Sequence, residues 1–417
     1  MIRIVLYTNV ISPHQLPLAR ELAARVGDDH FRYVYVEVSD KDHGGLGWML
    51  DVPKWCVHVG AADVGAWLEN ADVLLSGLRC FDLFERRAKK GLKNFYMTER
   101  WFKPPMGIAR LLHPRYFGYA RRLCALMESG GVVGLPIGVH AAKDMARMCG
   151  LLHGDMRCFY CVPELEFERR PVGRIWLKDD RNRRRYCLDK MRMWGYFVES
   201  SKFRVKRSKF NVDDDIRKHT NPSSQLPTIK VLWVGRLLEW KRVDTIIRAV
   251  GNLATGASAN KLRDPTHNFD FLKIVLDIYG TGPEEARLKK LAGKYGDAIR
   301  FYPPVPIVEV RRLMHEHDVY VLASNGYEGW GAVVNEALEE RMNVIGTYEA
   351  GASATLLLGN CLYQEGDLSG LMQLLKNKLP VGDIGSWGVG NAAKRLLGCI
   401  SLVMSQSLVR QKNASGI

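Results

Sequence analysis

The chain has 417 residues, 47% of them hydrophobic and 25% charged, with a formal net charge of +15. That is length for two or three domains with apolar residues enough for their cores, which excludes disordered and collagen-like chains. No apolar run approaches the roughly 18 residues of a membrane helix, Pro13 and His14 interrupt the apolar start before a signal-peptide core can form, and nine scattered cysteines read as reduced thiols. A cytoplasmic location is the expectation.

In chain order, strand-like and helical runs alternate from the start. Residues 2–7 read as a buried strand, and residues 14–26 as a helix with Leu16, Leu18, Leu22, Ala23 and Val26 on one face. Further strands are expected at 31–38, 73–76, 94–98 and 132–139. Residues 200–227, rich in Lys, Asp, Asn, Ser and Pro, read as a linker. A second series then begins, with strands at 228–234, 271–279, 299–301 and 319–323. Its helices are expected at 243–253, 283–294, 309–317 and 332–341, and residues 389–404 also read as helical. Such alternation predicts parallel sheets covered by helices on both faces. The domains expected are 1–205 and 228–385, joined by a linker at 206–227 and followed by a C-terminal helical segment at 386–417. Two Rossmann-like doubly wound α/β domains facing across a cleft are the economical architecture, with ligands at the carboxyl ends of the strands.

The charge is uneven. Residues 101–210 hold 23 basic and 10 acidic side chains, whereas residues 301–350 hold 3 and 8. Clusters at 181–185 and 202–209 are either solvated surface or an attraction for anionic partners. No nucleic-acid-binding signature accompanies them, so an anionic membrane surface ranks above nucleic acid.

Three loops after predicted strands carry candidate chemistry. The first runs from Gly235 through Arg236 to Lys241, two cations placed to clamp a diphosphate or merely to pair on the surface. The second holds Gly280, Gly282 and Pro283, the proline at the expected first helical position, with no third glycine to complete a dinucleotide fingerprint. The third holds Ser324, Glu328, Gly329, Trp330 and Gly331, with Glu336 more than a turn inside the next helix. Carboxylates there suit hydroxyl-rich groups flanking a phosphate. The plainer reading makes Glu328 a helix-dipole partner and Glu336 a surface residue.

Taken in this order, the three loops resemble the donor-binding half of retaining GT-B glycosyltransferases, family 4. The resemblance rests on Gly235, Arg236 and Lys241, on Gly280–Pro283, and on Ser324, Glu328–Gly331, Glu336 and Ala337. It implies a retaining, metal-independent hexosyltransferase with a nucleoside diphosphate sugar as donor substrate and no cofactor. Arg236 and Lys241 would then contact the diphosphate, Glu336 the ribose and Glu328 the donor sugar, with the main chain at Gly329–Gly331 around phosphate and sugar. The base would rest near residues 302–305, ending at Val305, where Pro303 and Pro304 replace the family's usual glycine. It further implies that the C-terminal helix crosses back to the N-terminal domain, and that the departing phosphate takes the acceptor's proton on the same face.

In the first half, the family's glycine pair is replaced around His14, which either meets phosphate or acceptor or caps the first helix. Its His-Asp pair corresponds to Glu99 and Arg100. Glu99 would bond a donor hydroxyl or act as base and Arg100 would meet a phosphate, or the two form a buried structural pair. His140, by the same alignment, falls at a family serine. The thiols of Cys158, Cys161 and Cys187 with His153 are the poor makings of a zinc site. The basic N-terminal half suggests a glycan or lipid-linked acceptor at the inner face of a membrane, as in surface-polysaccharide assembly. The rivals are a non-catalytic sugar-nucleotide-binding scaffold, a sugar-nucleotide epimerase and a phosphorylase, the last without a recognisable lysine for its pyridoxal group.

Overall fold

The computed structural model describes residues 2–37, 51–178, 186–201, 228–256, 273–377 and 379–414. The expected linker at 206–227 and the basic clusters at 181–185 and 202–209 lie outside the described residues. The chain divides into two compact units, one up to Glu199 and again from Gly385, the other Ser200–Ile384.

The first unit is built on a six-stranded parallel sheet. Its strands are β1 (Ile4–Thr8), β2 (Phe31–Tyr35), β3 (Cys56–His58), β4 (Val73–Ser76), β5 (Lys93–Thr98) and β6 (Val132–Pro136), in the order β3-β2-β1-β4-β5-β6. The central strand pairs Ile4 with Phe31 on one side and with Val73 on the other. All four residues of β4 are buried, because helices cover both faces of a parallel sheet. The strand expected at 132–139 ends at Pro136: Gly138 turns the chain with φ 85° and the helix Val139–Leu152 begins. Strand β3 and an antiparallel hairpin of β7 (Leu165–Phe167) and β8 (Ile175–Leu177) were not foreseen; three-residue strands are too short to show a period. The helix Val389–Ala414 belongs to this unit and packs on the helix Leu16–Val26, where Arg25 donates to the Gly390 carbonyl at 3.4 Å.

One buried cation organises the sheet's β4–β5 side. Arg87 is fully buried and donates to Asn94 Oδ1 at 2.8 Å and to the carbonyls of Leu68, Ala71 and Lys93 at 2.7, 2.8 and 3.3 Å. Burial lowers its pKa to about 10, which leaves it charged at neutral pH.

The second unit repeats the plan. Strands β9 (Thr228–Val234), β10 (Lys273–Tyr279), β11 (Ile299–Tyr302), β12 (Val319–Leu322), β13 (Asn343–Thr347) and β14 (Leu362–Tyr363) form a parallel sheet in the order β11-β10-β9-β12-β13-β14. In both sheets the order reverses beside the first strand, here between β9 and β12. At such a switch point the strand ends part and leave a crevice for a ligand.

Candidate functional site

The three loops singled out above leave the carboxyl ends of β9, β10 and β12, on both sides of the switch point. The first two are bound to each other through the main chain. The amide of Gly235 donates to the Tyr279 carbonyl at 3.1 Å, that of Gly280 to Tyr302 at 3.1 Å, and that of Leu237 to Thr281 at 2.9 Å. A Cβ on Gly280 would lie 1.9 Å from the Gly235 carbonyl oxygen, and one on Gly282 2.5 Å from that of Leu237. These two glycines therefore serve backbone packing between loops. Pro283 stands in the turn before the helix Glu285–Ala292 rather than at its first position.

The third loop is tied to the first. The Asn325 amide donates to the Trp240 carbonyl at 2.9 Å. The Lys241 ammonium then bonds the Glu328 carboxylate, which also accepts from the Ser324 hydroxyl at 3.1 Å. Both charged side chains are largely shielded, at 22% and 14% exposure. Glu328 thus turns toward lysine and serine and is not simply a partner of the helix dipole. Arg236 is exposed: its carbonyl accepts from the Leu238 amide at 2.9 Å, and its guanidinium makes no hydrogen bond or ion pair among the described residues. Trp330 is buried and its indole N–H donates to Asn335 Oδ1 at 2.8 Å, so only its main chain is available to a ligand. The Ala352 amide holds the Trp330 carbonyl at 2.8 Å, and a Cβ on Gly351 would meet the Gly329 oxygen at 2.3 Å.

Glu336 lies in the first turn of the helix Val333–Glu339, earlier than its sequence position suggested, and it is buried rather than on the surface. Loss of hydration raises its pKa from 4.5 to about 7; Arg311 opposes the rise and Glu340 adds to it. Arg311 and His315, from the helix Ile307–Glu316, both engage the fully buried Glu340, which also accepts from the Ser201 hydroxyl at 2.6 Å. Sequence reasoning missed this cluster, since nothing in the spacing of Arg311 and Glu340 announces that they meet.

Because folded Glu336 holds its proton more tightly than the unfolded chain, its contribution to stability is greatest below pH 4.5 and falls as pH rises to about 7. The difference is about 3 kcal/mol at 1.36 kcal/mol per unit. Urea titrations between pH 5 and pH 8 should show the Glu336→Gln variant losing less stability across this range than the parent, and parallel curves would refute the shift.

A cleft of about 300 Å³ opens beside Gly280 and Thr281, walled by Phe301, Tyr302, Pro303 and Pro304 and edged by Glu285 and Lys289. The Tyr302 ring stacks on Tyr279 at 4.6 Å and 13°. Val305 is half-buried at the end of the diproline, and Pro303 and Pro304 are exposed.

In the first unit, Glu99 follows β5 directly. It accepts from Lys103 Nζ at 2.6 Å and from the Tyr196 hydroxyl at 3.1 Å. His14 lies 6.4 Å from the Tyr196 ring, and burial lowers its pKa to about 4, so it is neutral at pH 7. The first helix starts at Leu16 with Gln15 preceding it and no side-chain cap, which removes the capping reading of His14. Arg100 does not pair with Glu99. It faces the buried Asp144 at 3.7 Å, whose carboxylate also accepts the Phe102 amide at 3.0 Å. Tyr196 and Lys103 are additions that only the tertiary structure supplies. Cys161 is exposed while Cys158 and Cys187 are buried, and among the described residues no His, Cys, Asp and Glu group is arranged to hold a metal.

With this geometry in place, the relatives can be compared. Residues 214–360 match the family described as glycosyl transferases group 1. The matched segment holds all three loops. An uncharacterized glycosyltransferase of Methanocaldococcus jannaschii, MJ1069, is 35% identical over 104 residues, which is 25% of this chain and 23% of that protein. The match therefore spans about a quarter of the relative's length. Among solved structures, the lipopolysaccharide outer core galactosyltransferase WaaB in its apo form is similar over 98% of this chain and 100% of its own, with 11% identity and a TM-score of 0.54. Anabaena Alr3699/HepE in complex with UDP is similar over 99% and 100%, with 12% identity and a TM-score of 0.50. The fold is GT-B, two parallel-sheet α/β domains.

Proposed function

We propose that the chain is a glycosyltransferase of the retaining, metal-independent kind, family 4, moving a sugar from a nucleoside diphosphate sugar to an acceptor hydroxyl. The single observation that carries the reading is the convergence of Lys241, Ser324 and Glu328 at the switch point of the group 1 segment, in the crevice where an α/β sheet receives its ligand. The buried Glu336 supports it, since a carboxylate kept from water has most to gain from vicinal ribose hydroxyls.

In this reading Lys241 and Arg236 meet the diphosphate, and Lys241 exchanges the Glu328 carboxylate for phosphate oxygen when donor arrives. Glu328, released from lysine, then accepts hydroxyls of the donor sugar. Gly329–Gly331 offer main-chain groups to phosphate and sugar, and the cleft lined by Tyr302, Pro303 and Pro304, with Val305 next in the chain, takes the base. The bond from the anomeric carbon to the β-phosphate oxygen breaks as the acceptor oxygen bonds that carbon on the same face. The departing phosphate takes the acceptor's proton, and its growing charge is stabilised by the cations rather than by a metal. Glu99, with Tyr196 and Lys103, is assigned to the acceptor side or a donor hydroxyl, with His14 near it. The acceptor is a glycan or lipid-linked glycan of surface-polysaccharide type. No described helix is long and apolar enough to cross a membrane, and attachment at the inner face would be peripheral.

A thermal-shift panel of UDP, GDP, ADP, dTDP and CMP, each with and without magnesium, tests the donor site, because a ligand of the native state raises its stability by mass action. A metal-independent shift with one diphosphate is expected, and silence from all of them would overturn the reading. Two further results are expected. Lys241→Ala should cost roughly 1.5–3 kcal/mol in nucleoside diphosphate binding, the range for a charged hydrogen bond, and leave nucleoside binding unchanged; calorimetry decides. Diphosphate affinity should also rise with pH up to about 7 as Glu336 ionises, and Glu336→Gln should flatten that profile.

A further inference from the structure

Part of the basic half lies within the described residues. From Arg100 to Met127 the sequence contains six basic side chains and no aspartate or glutamate. Three of the six are neutralised: Arg100 by Asp144, Lys103 by Glu99, and Arg122 by Glu85 and Asp82. The remaining three, Arg110, Arg115 and Arg121, form no ion pair among the described residues, and the Arg115 guanidinium donates to the Tyr119 hydroxyl at 2.9 Å. Interleaved with them are large apolar side chains left in water: Leu112 is 75% exposed, Met106 55% and Phe117 42%.

The solvent face of the helix Pro114–Glu128 repeats the pattern. Pro114, Phe117, Arg121 and Ala125 recur at helical spacing and are exposed, and no acid interrupts them before Glu128. A face meant only for water usually mixes both signs of charge and few large apolar groups. Alongside runs a groove of about 680 Å³ lined by Phe117, Ala125 and Leu126 together with Arg121, Arg122 and Glu85, the one acid there being paired with Arg122 at 2.8 Å.

We infer that the surface formed by residues 106–125 docks onto an anionic lipid bilayer, with Leu112 and Phe117 entering the interface and Arg110, Arg115 and Arg121 against lipid phosphates. Charge complementarity selects the occupant: cations alone would suit any polyanion, but exposed Leu and Phe between them gain only where an apolar layer lies beneath the negative charge. The inference deepens the lipid-linked acceptor reading and is independent of the donor chemistry.

Cosedimentation of the full chain with vesicles tests it, using neutral phosphatidylcholine alone and mixtures in which about a third is anionic phosphatidylglycerol. Partitioning should be at least tenfold stronger on the anionic vesicles and should weaken as salt is raised. Combined Arg110→Ala, Arg115→Ala and Arg121→Ala should cut it about a hundredfold, at roughly fivefold per cation. Leu112→Ser with Phe117→Ser should cut it about tenfold or more, with circular dichroism and melting curves confirming that both variants fold. Equal or absent binding to the two vesicle types would overturn the inference. So would parent-like binding of either variant; an effect of the arginines without one of Leu112 and Phe117 would mark a general polyanion patch. The nucleotide thermal shift is read separately, so vesicle binding without a nucleotide response would refute the donor site and leave the docking surface standing.

Discussion

Glu328→Ala should reduce sugar transfer by roughly 10²-fold or more, in the range seen when one preorganised polar contact to the reacting centre is lost. Its affinity for free nucleoside diphosphate should hold or improve. The asymmetry follows from the proposed roles: Glu328 bonds Lys241, so removing the carboxylate would free the ammonium for phosphate while taking away the proposed acceptor for donor-sugar hydroxyls. Calorimetry with the diphosphate and initial rates with the donor sugar separate the two. A variant that transfers at the parent rate, or loses diphosphate affinity in proportion to turnover, contradicts the assignment. Ser324→Ala probes the same point more gently, because that hydroxyl also donates to Glu328.

Arg87→Met should destabilise the first unit by about 3–5 kcal/mol, as expected when several buried neutral acceptors each lose their donor at roughly 1–3 kcal/mol. Methionine fills much of the volume but leaves Asn94 Oδ1 and the carbonyls of Leu68 and Ala71 without their donor, and unsatisfied buried acceptors are costly. Urea unfolding followed by a probe in the first unit is the measurement. Nucleotide binding by the second unit should survive at temperatures where the first remains folded. A loss under 1 kcal/mol would mean that water replaces the guanidinium and the network is not closed.

Several strand positions were legible because strands buried on both faces read as apolar runs: Val73–Ser76 and Thr228–Val234 fall where the sequence places them, whereas Asn343–Thr347, equally buried but carrying Asn, Gly and Thr, was not foreseen. Hydrophobic pattern failed where an element is short, as at Cys56–His58, and where an apolar run crosses a turn, as after Pro136. The three candidate loops were legible through their resemblance to a known family, since each loop's glycines, cations and carboxylates lie close together in sequence after a strand.

By itself, then, the sequence determined two α/β series, the positions of Gly235, Lys241, Gly280, Gly282, Glu328 and Glu336 after strands, and an excess of positive charge in residues 101–210. Only the tertiary structure decided that Lys241 and Glu328 meet, 87 positions apart, that Glu336 is buried, and that Arg100 turns to Asp144 while Glu99 takes Lys103 and Tyr196. It likewise chose which arginines are paired and which face water. The reason is that burial and ion pairing depend on distances across the fold, whereas strand pattern and turn chemistry are written in neighbouring residues.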